Sequence, residues 1–143
     1  MKKLTLAACL ILAGCQTLFE SKVPLPGSYV AAEITASDSL IVAKDMVGFL
    51  ANQFAYAKTT IALDPIRTEF DRIFAEELGK RGFGVIEGNP IPGSVEVYYA
   101  VSVLDNGVVA RMRFQGKEAS RFYTLTEQGL QLGGRYALRG AFK

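Results

Sequence analysis

The 143-residue sequence contains no histidine and only two cysteines, Cys9 and Cys15. Zinc, copper and haem sites usually take histidine or cysteine ligands, so the chain lacks the side chains that such sites need. Ser-His-Asp and Cys-His catalysis are excluded by the same absence of histidine. The acidic residues of segment 64–77 are interpreted as helix caps and ion pairs, and the glycines of segment 129–134 as turns. We therefore expect no metal site, no cofactor and no enzyme activity.

The first 14 residues have the layout of a secretory signal peptide. Two lysines precede an uncharged apolar run, residues 4–12, which is too short to span a bilayer because a membrane helix needs about 20 apolar residues. The run ends in Leu12-Ala13-Gly14-Cys15, which resembles the lipobox of bacterial lipoproteins. We expect cleavage before Cys15 and lipid attachment to its thiol. Because Gln16 rather than aspartate follows, the expected location is the periplasmic side of the outer membrane.

Removal of the signal peptide leaves enough chain for one domain but not comfortably for two. Cys9 is removed with the signal and Cys15 carries lipid, so no disulfide is expected. The remaining chain has 14 basic against 14 acidic side chains, a balance that disfavours direct nucleic-acid binding. The charges are unevenly placed. Residues 15–92 have 7 basic against 10 acidic side chains, net −3, and residues 93–143 have 7 against 4, net +3.

Residues 15–36 are predicted to form an extended tether, followed by a globular domain over residues 37–143. The segment holds few charges and no sustained helical or strand period, and its prolines favour extended backbone. It is also more apolar than a passive linker needs, which favours binding of a partner. The residues assigned to that contact are Leu18, Phe19, Val23, Pro24, Leu25 and Pro26. A spacer whose apolar residues enter lipid headgroups is the alternative.

Helical periodicity predicts a first helix over residues 38–54, with Ser37 as the N-cap. Its apolar side chains fill an arc of about 200°, which is wider than one contact needs. Ile41 lies alone in the remaining polar arc, and this isolation makes it a candidate interface residue.

A strand over residues 59–63 is expected to lead into a second helix, which Asp64-Pro65 would begin and Gly82 would end. Glu76 with Lys80 and Glu77 with Arg81 are predicted ion pairs on its exposed side. A strand over residues 83–86 then completes a parallel strand-helix-strand crossover.

Period-two alternation in residues 95–115 predicts a β-hairpin. A turn centred on Asn106-Gly107 would pair Val103 with Ala110 on an apolar face, and Ser102 with Arg111 on a polar face. Two further strands are expected over residues 121–126 and 135–142. Together these elements predict an α+β fold, a two-layer sandwich with two helices on one face of a mixed, mostly antiparallel sheet.

Four arginines of the sheet form a candidate interface for an acidic partner. Alternation places Arg111 and Arg113 on the polar face of the hairpin, and Arg135 and Arg139 on one side of the last strand. The alternative is a solvated sheet face, because alternation alone brings polar residues to that side.

From Leu40 onward the sequence resembles the TrbH-type conjugal transfer lipoproteins. The likeness rests on the lipobox at Cys15, on the helical block of residues 70–83 with its Leu78, Arg81 and Gly82, and on the segment Ser120-Arg121-Phe122-Tyr123 with its following glycine. It covers most of the chain after the signal peptide, and none of these motifs is catalytic.

The resemblance implies a structural role in conjugation. Such a lipoprotein would anchor core subunits of a type IV secretion, or mating-pair-formation, complex in the outer membrane, as part of a ring-forming hetero-oligomer. An assembly lipoprotein of another envelope machine, serving curli secretion, flagellar assembly or pilus biogenesis, is the alternative function.

Overall fold

A computed structural model of the chain describes residues 27–142. The predicted signal peptide, Cys15 and the six tether residues assigned to partner binding lie outside this range. The helices are α1 (Ala36–Gln53) and α2 (Glu69–Arg81), with a short 3-10 turn at Tyr56–Lys58. The strands are β1 (Tyr29–Val30), β2 (Thr60–Leu63), β3 (Gly84–Glu87), β4 (Val95–Glu96), β5 (Tyr98–Leu104), β6 (Gly107–Phe114), β7 (Lys117–Thr126), β8 (Gly129–Leu132) and β9 (Ala137–Arg139).

The strands form two sheets, and β4 of the smaller sheet leads directly into β5 of the larger one. The smaller sheet, in the order β3-β2-β4, is parallel. The larger sheet has the order β1-β5-β6-β7-β8, with β9 also paired to β7, and it is antiparallel except for the β1–β5 pair. The predicted α+β fold, with two helices and a mixed, mostly antiparallel sheet, is confirmed. So is the parallel crossover from β2 through α2 to β3.

The main core lies between the helices and one face of the larger sheet. Buried apolar residues of α1 and α2 pack against alternate residues of β5, β6 and β7. The largest fully buried side chains include Tyr99, Tyr123, Phe70, Phe74 and Met46. Among the described residues, no helix covers the opposite sheet face, so its polar side chains stay accessible.

The hairpin register differs from the sequence prediction by two residues. Val103 pairs with Val108 and Val101 with Ala110, so the loop is Asp105-Asn106 rather than Asn106-Gly107. Gly107 belongs to β6, where a Cβ would overlap the carbonyl oxygen of Tyr123. Its lack of a side chain thus serves close strand packing instead of the turn. A shift of two keeps every side chain on its predicted face, because the period of a strand is two.

The first helix begins earlier than predicted. Thr35, not Ser37, is the N-cap, and its hydroxyl accepts the backbone N–H of Asp38 at 3.1 Å. Residues 29–30, within the range assigned to the tether, pair with β5, and the N–H of Ala31 donates to the carbonyl of Val101 at 2.9 Å. The open backbone edge of β5 explains this contact, since an extended segment satisfies its hydrogen bonds there.

The second helix begins later than predicted. Its N-cap is Thr68, and the Asp64 carboxylate instead accepts the backbone N–H of Ser28 at 2.6 Å. The exposed ion pairs also differ. Arg72 bonds Glu69 and Glu76, while Lys80 bonds the nearly buried Glu77 at 3.0 Å, three residues away rather than four. Gly82 ends the helix in the left-handed conformation with φ 112°, as predicted.

Candidate functional site

The structure brings together only part of the predicted arginine surface. Arg113 and Arg139 line one cleft on the open sheet face, at the end where β5 begins and β6 ends. Arg111 lies on the same strand as Arg113, and its guanidinium contacts Glu118 of β7 at 3.4 Å. Arg135 falls outside the short β9, and the predicted strand over residues 135–142 is wrong at both ends. Ile41, which is 36% exposed, lies on α1 in the helical layer and not with these arginines.

The open-face cleft has a volume of about 570 Å³ and carries charges of both signs. Its basic residues are Arg113, Lys117 and Arg139, and its acidic residues are Glu96 and Glu118. The guanidinium of Arg113 lies 5.8 Å from the ring centre of Tyr98, whose hydroxyl donates to Glu96 at 3.3 Å. Desolvation by burial, followed by the charge of Glu96, raises the pKa of Tyr98 above its ordinary value. This arrangement suits recognition of a charged surface.

A second polar cluster, centred on Asp45 of α1, was not predicted from sequence. The carboxylate accepts from the Arg121 guanidinium at 2.8 Å, from the Tyr123 hydroxyl at 2.6 Å and from the Tyr136 hydroxyl at 2.7 Å. Arg121 also donates to the carbonyl of Gly134 at 2.7 Å. Burial is the main cause that raises the pKa of both tyrosines, so both remain hydroxyl donors. The cluster fastens α1 to β7 and to the C-terminal segment.

A third cluster joins α2 to β5 through Asp71. One carboxylate oxygen accepts the N–H groups of Arg67 and Thr68 at 2.9 and 2.8 Å. The other accepts the buried Tyr99 hydroxyl at 2.5 Å. Burial raises the pKa of Tyr99 well above its ordinary value, and the hydrogen bond to Asp71 adds to the effect. Asp71 therefore completes a capping box with Thr68 and also ties the helix to the sheet.

Comparison with known families decides the relationship of the chain. The sequence model of the family described as conjugal transfer protein TrbH matches residues 17–140. The chain belongs to the TrbH family. No curated protein and no solved structure gives a significant match. The predicted membership in the TrbH family is confirmed, and the chain is a conjugal transfer protein.

The Asp45 and Asp71 clusters of the TrbH-family domain join its helices to its strands. Within residues 27–142, no group of three or more acidic side chains is arranged to hold a metal ion. In the same range, no helix is both long and apolar enough to cross a membrane. The sequence had one signal for the Asp45 cluster, the run Ser120-Arg121-Phe122-Tyr123. That run places a cation and a hydroxyl two residues apart on the helix-facing side of β7, but its partner on α1 is 76 residues away in the chain.

Proposed function

We propose that this TrbH-family chain is a structural subunit of a conjugative type IV secretion core complex, anchored by lipid in the outer membrane and facing the periplasm. The family match over residues 17–140 carries the proposal, because it places the chain in conjugal transfer. A structural rather than enzymatic role is supported by the absence of histidine from the sequence, which excludes Ser-His-Asp and Cys-His catalysis. The core subunits of the secretion complex are the proposed partners.

Lipid attachment at Cys15 is the first testable part of this proposal. A serine hydroxyl cannot replace the cysteine thiol as the acceptor, so Cys15→Ser should yield an unprocessed precursor in the inner membrane or a soluble periplasmic form. Membrane fractionation and gel mobility measure this. Normal mobility together with unchanged outer-membrane fractionation would exclude the lipid anchor.

The tether is proposed to bind the partner subunits. Leu18, Phe19, Val23, Pro24, Leu25 and Pro26 would add to a sheet edge or lie in an apolar groove, as extended segments commonly do. Phe19→Ala with Leu25→Ala should weaken copurification of the secretion subunits while lipidation persists. Undiminished copurification would leave the tether as a spacer.

The arginine face is proposed to help the complex close into a ring. Neighbouring copies with oppositely charged halves can meet head to tail, and such a contact closes when its rotation permits. Each exposed charge pair contributes only about 0 to 1 kcal/mol, so several pairs must act together, assisted by the high local concentration on a membrane. Arg111 and Arg113, on adjacent outward positions of β6, are central to this surface.

Reversal of these two charges tests the ring contact. Arg111→Glu with Arg113→Glu should reduce recovery of the assembled complex in size-exclusion chromatography, and high salt should have the same effect on the native chain. Lys58→Glu with Arg67→Glu makes the same charge change at two exposed sites outside β5 to β9 and serves as the control. Normal assembly of the Arg111/Arg113 variant at low salt would rule out this contact.

A further inference from the structure

Two adjoining clefts meet at Gly48 on the helical side of the domain. The first, of about 320 Å³, lies between the middle of α1 and the C-terminal end of α2. The second, of about 410 Å³, continues from α1 toward β7 and the C-terminal segment. Lys44, Gly48 and Arg81 line both of them, so the two clefts form one groove with Gly48 in the middle. We call this the Gly48 groove.

The Gly48 groove is positively charged, although the helical half of the sequence is acidic overall. Four basic residues, Lys44, Lys80, Arg81 and Arg121, line it against two acidic ones, Asp45 and Glu77. Both carboxylates are already engaged, since Asp45 binds Arg121 and two tyrosine hydroxyls and Glu77 binds Lys80. Within residues 27–142, no carboxylate lies within 4.0 Å of the charged nitrogens of Lys44 or Arg81, so an anion from outside is attracted here.

Packing within the domain does not explain why residue 48 is a glycine. It occupies the middle of α1, where glycine destabilises a helix relative to alanine. A Cβ built on Gly48 would meet no atom within 4 Å outside its chain neighbours and the nearby backbone of its own helix, so the described part of the chain has room for alanine. A chain that approached the helix backbone at this position would meet no side chain.

We propose that the Gly48 groove binds an acidic segment of a partner protein. The backbone of that segment lies against Gly48, and its carboxylates are bound by Lys44 and Arg81. Arg81 is held in place by the ring of Tyr56, 5.6 Å from its guanidinium carbon. A protein segment fits better than an anionic membrane surface, since carboxylates stand beside the basic residues in the walls of the groove. This site lies beyond the proposed function and on the other side of the sheet from Arg111 and Arg113.

Binding of a fluorescein-labelled hexaglutamate peptide to the purified full-length chain in uncharged detergent tests the site. Fluorescence anisotropy should show binding that weakens about tenfold in Lys44→Gln with Arg81→Gln, because two charge pairs are lost. Gly48→Ala should weaken binding about fivefold while raising the melting temperature by about 2 to 4 °C through better helix propensity. Loss of binding in a more stable protein cannot result from unfolding.

Gly79→Ala is the matched control. Gly79 lies in α2, a Cβ there also meets nothing within 4 Å, and the residue does not line the groove. It should also raise the melting temperature but leave peptide affinity unchanged. Native-like affinity in Gly48→Ala, or equal losses in the two glycine variants, would overturn the proposal. Binding to phosphatidylglycerol vesicles that needs Lys44 and Arg81, with no hexaglutamate binding, would also overturn it in favour of a lipid headgroup. Since these assays use the purified chain, none of these results bears on its role in conjugation.

Discussion

The two helices are each fixed to the sheet by one aspartate and a tyrosine hydroxyl, but the two anchors are built differently. In α2, Asp71 accepts two backbone N–H groups of its own helix start and only one distant donor, Tyr99. In α1, all of the donors that Asp45 accepts through its side chain belong to β7 or the C-terminal segment, 76 to 91 residues away. The Asp71 anchor is mainly local, whereas the Asp45 anchor is entirely tertiary.

This difference determines what each anchor stabilises. The Asp71 anchor satisfies N–H groups that any helix start leaves open, so it favours α2 itself. The Asp45 anchor satisfies a guanidinium and two hydroxyls that belong to other elements. It therefore holds residues 133–142 against α1 and supplies the Arg121 and Tyr136 wall of the Gly48 groove.

Asp45→Ala should have the largest effect on stability. It leaves the half-buried Arg121 without its counter-ion and two tyrosine hydroxyls without their acceptor, so the free energy of unfolding should fall by about 3 kcal/mol. Urea unfolding of the variant measures this loss. Hydrogen exchange should also accelerate in residues 133–142, the segment that the anchor holds.

Asp38→Ala is the control for that change, because Asp38 lies in the first turn of the same helix, is only partly buried and accepts no bond from β7 or the C-terminal segment. Its loss should cost less than about 1 kcal/mol through the helix dipole. If Asp45→Ala costs no more than Asp38→Ala, the tertiary anchor contributes nothing to stability.

Asp71→Ala should cost about 2 kcal/mol, less than Asp45→Ala, since water can reach the freed N–H groups but not the buried Tyr99 hydroxyl. Tyr99→Phe removes only the hydrogen bond between the Tyr99 hydroxyl and Asp71, and it separates the two contributions. It should cost about 1 kcal/mol, and the remainder measures the two N–H bonds at the helix start. Equal losses in Asp71→Ala and Tyr99→Phe would show that the bonds at the helix start add no stability.

The parts of the fold that sequence reasoning predicted are those set by local or periodic patterns. The parallel crossover, the end of α2 at Gly82 and the apolar face of the hairpin follow from spacing and turn signals alone. A period-two pattern fixes which face a residue occupies but not its partner, so a register error of two residues left Arg111 and Arg113 correctly on the open face.

The parts that were missed depend on contacts across the chain. The helical pattern places Asp45 only in the remaining polar arc of α1, because nothing near it in sequence reveals three donors from other elements. Gly107 was assigned to a turn, because its clash with the backbone of Tyr123 exists only once β6 and β7 are paired. At the other hairpin, Gln115 and Gly116 adopt φ values of 50° and 71°, the left-handed turn that had been expected at Asn106-Gly107.

Alkaline pH should weaken both anchors, the Asp45 anchor through two tyrosine hydroxyls and the Asp71 anchor through one. The pKa of Tyr123 and of Tyr136 is raised in the folded chain above the ordinary value of 10.0, mainly by burial. A raised folded-state pKa gives stability that is fully present below pH 10 and is lost as the pH rises above it, since the unfolded chain releases those protons first. The groups that face the two hydroxyls are Asp45 of α1 and Arg121 of β7.

Melting temperatures measured from about pH 8 to pH 11.5 test this dependence. The melting temperature of the native chain should be nearly constant up to about pH 9.5 and should then fall. The double variant Tyr123→Phe/Tyr136→Phe should have a free energy of unfolding about 1 to 2 kcal/mol lower at pH 8. Its melting temperature should fall less steeply above pH 9.5, because only other groups then titrate. Parallel curves for the two proteins would show that these hydroxyls are not responsible for the alkaline loss.

The smallest expected effect concerns the start of α1, which has an N-cap but no capping-box carboxylate like Asp71 of α2. Because the Thr35 hydroxyl accepts the N–H of Asp38, Thr35→Ala should lower the free energy of unfolding by about 1 kcal/mol. Ser37 lies inside the helix, 3.2 Å from the Thr35 hydroxyl, and Ser37→Ala should change stability by less than about 0.5 kcal/mol. Urea unfolding of the two variants measures the difference. A larger loss in Ser37→Ala would restore Ser37 as the N-cap and move the start of α1 by two residues. In that case Thr35 would not cap α1, and the start of the helix would depend on Ser37. The Asp45 anchor would then hold a helix that is shorter at its N-terminal end.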